Sequence, residues 1–135
     1  MWRQARSELE PFLKEQPENH RLIGDLALIN MALGDKAAAL ALSEQAIAVI
    51  PLERDAVSGP APIEILARVT AQIGEPDRAI AALQTLLAIP YESALSSGVP
   101  LTPALLRLDP MFDPLRADSR FQKLAASSAP NDAKP

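Results

Sequence analysis

The chain has 135 residues, 48% apolar and 22% charged, which is enough for one folded domain and argues against disorder. Net charge is −4, and the 13 Lys and Arg are scattered; a nucleic-acid backbone needs a concentrated basic face, so that partner class is not expected. The lack of cysteine removes disulfides, thiolate zinc sites and thiol nucleophiles, and no apolar run reaches the ~20 residues of a membrane span.

The opening Met1-Trp2-Arg3-Gln4 has no apolar core of the signal-peptide kind, and the first predicted helix, 2–15, stops before Pro17. The second, 20–33, carries the apolar stripe Leu22, Leu26, Ile29 and Leu33. Gly34 then stands where a left-handed cap is needed, and Asp35 is suited to opening the next helix. That helix, 36–49, ends at Pro51. The fourth, 61–73, repeats the stripe as Ile63, Leu66, Val69 and Ile73, and Gly74-Glu75 repeat the boundary. The fifth, 77–88, is closed by Pro90. Residues 94–103 read as a linker bearing Ser, Gly and Pro. Thr102-Pro103 caps and opens a short helix through Leu108. Asp109-Pro110 and Asp113-Pro114 read as tight turns with the same chemistry, and Asp118 caps a last helix from Ser119 to Ala126. Residues 127–135 are expected to be disordered.

These elements recur with a period. Ala5 and Pro17 return 34 residues later as Ala39 and Pro51. Ile23, Leu26, Ala27, Gly34 and Ala39 return 40 residues later as Ile63, Leu66, Ala67, Gly74 and Ala79. The difference is a six-residue insertion between Pro51 and Pro60. Small residues at Ala27, Ala39, Ala46, Ala67 and Ala79, amid Leu and Ile, are what closely crossing helices need. The inserted loop is expected to expose Glu53, Arg54 and Asp55 at the rim of the stack.

On these residues the chain resembles the tetratricopeptide repeat family, whose unit is a helix–turn–helix. The pattern reads Ile23-x₂-Leu26-Ala27-x₂-Asn30, Ala39-x₃-Ser43, Pro51, then Ile63-x₂-Leu66-Ala67-x₂-Thr70, Ala79-x₃-Leu83, Pro90. The family's aromatics are replaced by Ile23, Asn30, Ser43 and their counterparts. The resemblance implies an all-α, tetratricopeptide-like α-solenoid of antiparallel helix pairs, about two and a half repeats with a C-terminal capping segment. Residues 1–93 hold the repeats (half repeat 1–17, full repeats 20–51 and 60–91), 94–126 the capping helices and 127–135 the tail. Leu105, Leu106, Leu108, Met111, Phe112, Leu115 and Phe121 are expected to cover the last apolar face. The run from Leu108 to Arg116, with Asp118 and Arg120-Phe121, resembles the closing segment of repeat arrays at the C-terminus of bacterial signalling proteins. Because the chain opens half-way through a unit, a piece of a longer protein is expected.

Little here is suited to catalysis, and no enzyme, cofactor or metal site is expected. His20 lacks a Cys or His partner, and Ser96-Ser97-Gly98 lacks the context of a nucleophile. Asp109, Asp113 and Asp118 read as caps, with Arg116 and Arg120 as their ion-pair partners. What remains is a groove lined by the first helix of each pair: Arg21, Asp25, Leu28 and Met31 from one, Glu64, Ile65, Arg68 and Gln72 from the next. Mixed charge beside apolar side chains suits a protein or peptide partner. Some family members grip a chaperone's terminal carboxylate with groove Lys, Asn and Arg. Gly24, Asp25, Leu28 and Glu64 stand in the groove here, so that activity is not implied. The expected function is a non-catalytic interaction scaffold, with self-association into a homodimer as the alternative. The expected compartment is the cytoplasm, or an extracytoplasmic one if a parent protein carries an upstream membrane span.

Overall fold

The structure is a computed structural model that describes residues 1–52, 54–55, 58–89 and 101–126. Among these residues the fold is all-α, with no strand. The helices are α1 (Trp2–Glu15), α2 (His20–Ala32), α3 (Lys36–Val49), α4 (Pro60–Ile73), α5 (Pro76–Leu87), α6 (Pro103–Leu108) and α7 (Ser119–Ala126), with a 3₁₀ helix at Pro110–Leu115 between the last two. The expected disordered tail and Pro90 lie outside the described residues, as does most of the expected linker.

Local chemistry sets these boundaries. Gly34 and Gly74 follow α2 and α4 with φ of +82° and +86°, the left-handed region that a side chain resists. Asp35 accepts a hydrogen bond from Ala38 N at 3.2 Å and opens α3. Glu75 makes no such bond; α5 starts on Pro76, whose fixed φ suits a first helical position. Thr102 caps α6 through Leu105 N, and Asp109 accepts from Met111 N to open the 3₁₀ helix. Asp118 accepts from Arg120 N at the start of α7. Asp113 departs from expectation. It lies inside the 3₁₀ helix and pairs with Arg116 Nε at 2.7 Å instead of capping.

α2 packs on α1, α3 and α4, and α4 packs in turn on α3, α5 and the 3₁₀ helix. The alanines at 27, 39, 46, 67 and 79 are all fully buried, which lets neighbouring backbones approach closely. Leu22, Leu26 and Ile29 of α2 meet Ala5, Leu9 and Leu13 of α1, as the predicted stripe requires. α4 is different: its buried residues run round the whole helix, because neighbours cover it on several sides. Among the described residues, the buried polar side chains leave no unmet hydrogen bond. Asn30 donates to Leu26 O and accepts from Arg6, while Ser43 donates to Ala39 O.

The C-terminal segment closes the largest core. Leu101, Leu106, Phe112, Leu115, Phe121 and Ala125 join Ala67, Ala71, Ile80, Leu83 and Leu86 in one cluster, with Leu105 packed against it. Phe112 and Phe121 stack at 6.2 Å between ring centroids. Leu108, expected in this cover, is 76% exposed; it is the last residue of α6, where the chain turns away. In the inserted loop Arg54 is exposed, but Asp55 is half-buried and accepts from Ser58 N at 2.9 Å, so it ties the loop down. Glu53 lies outside the described residues. No helix among the described residues is long and apolar enough to cross a membrane.

Candidate partner-binding face

The two rows of residues expected to line one groove meet different fates. On α2, Arg21 and Asp25 are exposed. Leu28 and Met31 are half-buried, with their inner sides packed near Ile65, Val69 and Ile73 of α4. Burial pushes the Asp25 carboxyl up from its ordinary range, and the charge of Arg21, one turn earlier, opposes this.

On α4 the expectation of an open face fails. Glu64, Ile65 and Arg68 are buried, and only Gln72 is exposed. Ile65 turns toward α2, where a Cβ added at Gly24 would lie 3.5 Å from Ile65 Cγ1. The other side of α4 is taken by the 3₁₀ helix and its leading residue. Arg68 Nε donates to Glu64 at 2.9 Å, and its Nη1 donates to Asp109 at 2.7 Å and to Met111 Sδ at 3.3 Å. The same guanidinium lies 5.3 Å from the Phe112 ring centroid. Gln72 donates to Met111 O at 2.7 Å. Glu64, Arg68 and Gln72 therefore hold the chain's own C-terminal segment.

That segment is fastened at further points. Arg116 donates to Leu106 O and to Asp109 O, and it lies over Phe121 at 5.9 Å. Arg120 bridges Asp118 at 2.8 Å and Asp77 of α5 at 2.8 Å. Burial pushes the Asp109 carboxyl up, but hydrogen bonds from Arg68 and Met111 N, with the charges of Arg68 and Arg116, leave it below the usual range. The Arg120 side chain and backbone N–H hold Asp118 down at about 2. The pairing of Arg116 and Arg120 with Asp113 and Asp118 agrees with the sequence reading.

The sequence reading missed the cross-link from Arg68 to Asp109. A signal was present in part: Glu64 and Arg68, the two charged residues of α4, stand four apart, the spacing of an ion pair on one helix face. Nothing in the spacing pointed 41 residues ahead to Asp109. His20 is half-buried at the first position of α2. Among the described residues no group of three His, Cys, Asp or Glu is placed to hold a metal ion. Comparison with protein-family models, with curated proteins and with solved structures found no match to this chain.

Proposed function

We propose that the chain is a tetratricopeptide-like stack serving as a non-catalytic scaffold for a protein or peptide partner. The observation that carries this reading is the coincidence of period and packing. Ala27 and Ala39 recur at an offset of 40 as Ala67 and Ala79, all four are fully buried where the helices meet, and Gly34 and Gly74 cap the helices related by the same offset. The segment 101–126 then stands as a cap on the α4–α5 face, and the chain is read as part of a longer bacterial signalling or regulatory protein.

The partner surface is the α2 part of the expected groove: Arg21, Leu28, Met31 and the neighbouring Asp25. The α4 part is occupied by the cap. An extended or helical peptide would set an apolar side chain against Leu28 and Met31 and a polar group against Arg21. The test compares the parent chain with Leu28→Glu in partner capture from source-cell extract, followed by titration of the captured protein. Loss of binding with an unchanged melting temperature is expected. Unchanged affinity overturns the α2 surface, and a concentration-dependent dimer abolished by the same change favours self-association.

A further inference from the structure

The seam between α4 and the 3₁₀ helix is built from a different chemistry than the seam between α2 and α4. An offset of 40 carries Gly24, Leu28 and Ala32 of α2 onto Glu64, Arg68 and Gln72 of α4. Where α2 meets α4 the contact is apolar: Gly24 approaches Ile65, and Leu28 packs with the cluster that holds Ile65 and Val69. Where α4 meets the 3₁₀ helix, the equivalent positions bind polar groups of the chain one by one. Arg68 Nη1 donates to the Asp109 carboxylate at 2.7 Å, and Glu64 accepts from Nε of the same guanidinium. Gln72 Nε2 donates to the Met111 main-chain carbonyl at 2.7 Å. Phe112 lies against the Arg68 guanidinium, and Leu115 follows it into the core.

These are the contacts by which a protein reads a peptide segment: a fixed cation for a carboxylate, a side-chain amide for a main-chain carbonyl, and buried seats for two apolar side chains. Closure alone would be served by the apolar seam already used between α2 and α4, since a buried ion pair specifies more than it stabilises. The segment is also shallow at its leading end. Asp109 and Met111 are half-buried, and Pro110 between them is exposed.

We propose that this side of α4 is a recognition site for a partner protein's segment carrying Asp, an aromatic three residues later and Leu six residues later. Residues 109–115 are then its resident ligand, a strap that covers the site until a partner's segment takes its place. Exchange replaces each contact with the same contact. The Arg68 cation keeps a carboxylate, and the apolar side chains of one segment enter water as those of the other leave it. What favours the resident is its high effective concentration as part of the same chain. The site is separate from the Leu28–Met31 surface, so either can fail alone.

The test uses the full chain and a synthetic peptide of residues 108–116, acetylated, amidated and fluorescein-labelled, read by anisotropy. The control peptide carries Asp109→Asn. In the chain, Asp109→Asn and separately Arg116→Gln loosen the resident and leave the α4 side chains in place; Arg116 holds the strap by donating to Leu106 O and Asp109 O. Each variant is expected to bind the peptide about tenfold more tightly than the parent chain does, roughly the worth of one charged hydrogen bond. Neither should gain for the control peptide, and Leu28→Glu should change nothing. Equal binding of the two peptides, or no gain in either variant, overturns the proposal. So does loss of amide protection in α4 and α5 together with 101–126 in both variants, because the segment is then core and not an occupant. A concentration-dependent dimer of the parent chain that the peptide dissolves assigns the segment to a second copy, and overturns the partner.

Discussion

Arg68 and Asp109, 41 residues apart in sequence, meet at 2.7 Å and join the most buried helix to the C-terminal segment. The contact takes a row of α4 side chains out of the expected open groove and puts them into the fold. Its energetics are those of a charge cluster in a nearly dry site, because the Glu64 side chain is fully buried and that of Arg68 nearly so. Such a cluster specifies geometry more than it stabilises.

Removing one member should therefore cost more than removing the pair. Arg68→Ala withdraws the cation beside a buried carboxylate and is expected to cost about 3–5 kcal/mol in urea unfolding. Arg68→Met with Glu64→Leu fills similar volume without charge and should recover most of that loss. A double variant as unstable as Arg68→Ala would show that the charges are net stabilising.

The alanines give a second check. Ala39 sits between α2, α3 and α4, and Ala79 lies in the core that includes Phe112. Ala39→Leu or Ala79→Leu should cost about 1–3 kcal/mol, because extra methylenes must enter close helix contacts. Thermal melts unchanged from the parent would refute the packing.

Helix existence and bounds were legible because local chemistry sets them: Gly34, Gly74, Asp35 and the prolines act within a turn of themselves. Ala27, Ala39, Ala67 and Ala79 were legible because the period repeats them. The identity of the free face was not. Whether Arg68 meets water or Asp109 depends on how the segment after α6 folds back, and no local pattern encodes that return. For Asp113 only the cap role was misread: its pairing with Arg116 follows from the three-residue spacing, whereas its place inside the 3₁₀ helix does not.

Acid should loosen the C-terminal segment. Asp118, at about 2, and Asp109 both have folded-state values below the ordinary 3.8. Their contribution is thus present above about pH 4 and lost as pH falls toward 2. Asp25 has the opposite sign: its raised value favours the protonated fold, so Asp25→Asn should stabilise the chain at neutral pH. Amide exchange followed from about pH 5 downward should show 101–126 losing protection before α2 and α3, and Asp109→Asn should blunt that pH dependence. Simultaneous loss in every helix would show that the acid response is global.

The inserted loop supplies the last prediction. Gly59 precedes α4 with an ordinary φ of −59°, so backbone strain does not explain it. Space does. An added Cβ would lie 2.5 Å from Asp55 O and 2.8 Å from Leu52 Cα, both backbone atoms that cannot swing aside. The same turn is closed by Gly59 N donating to Asp55 O at 2.8 Å. Gly59→Ala must therefore shift the turn, and it should cost about 1–3 kcal/mol, as overpacking does elsewhere. Gly34→Ala is the control. Its Cβ would meet nothing within 4 Å, so only the left-handed φ opposes it, at about 1 kcal/mol. Thermal melts of the two variants decide the matter: Gly59→Ala should melt lower than Gly34→Ala. The reverse order would mean that the contacts of Gly59 with Asp55 O and Leu52 Cα yield easily and do not fix the lead into α4.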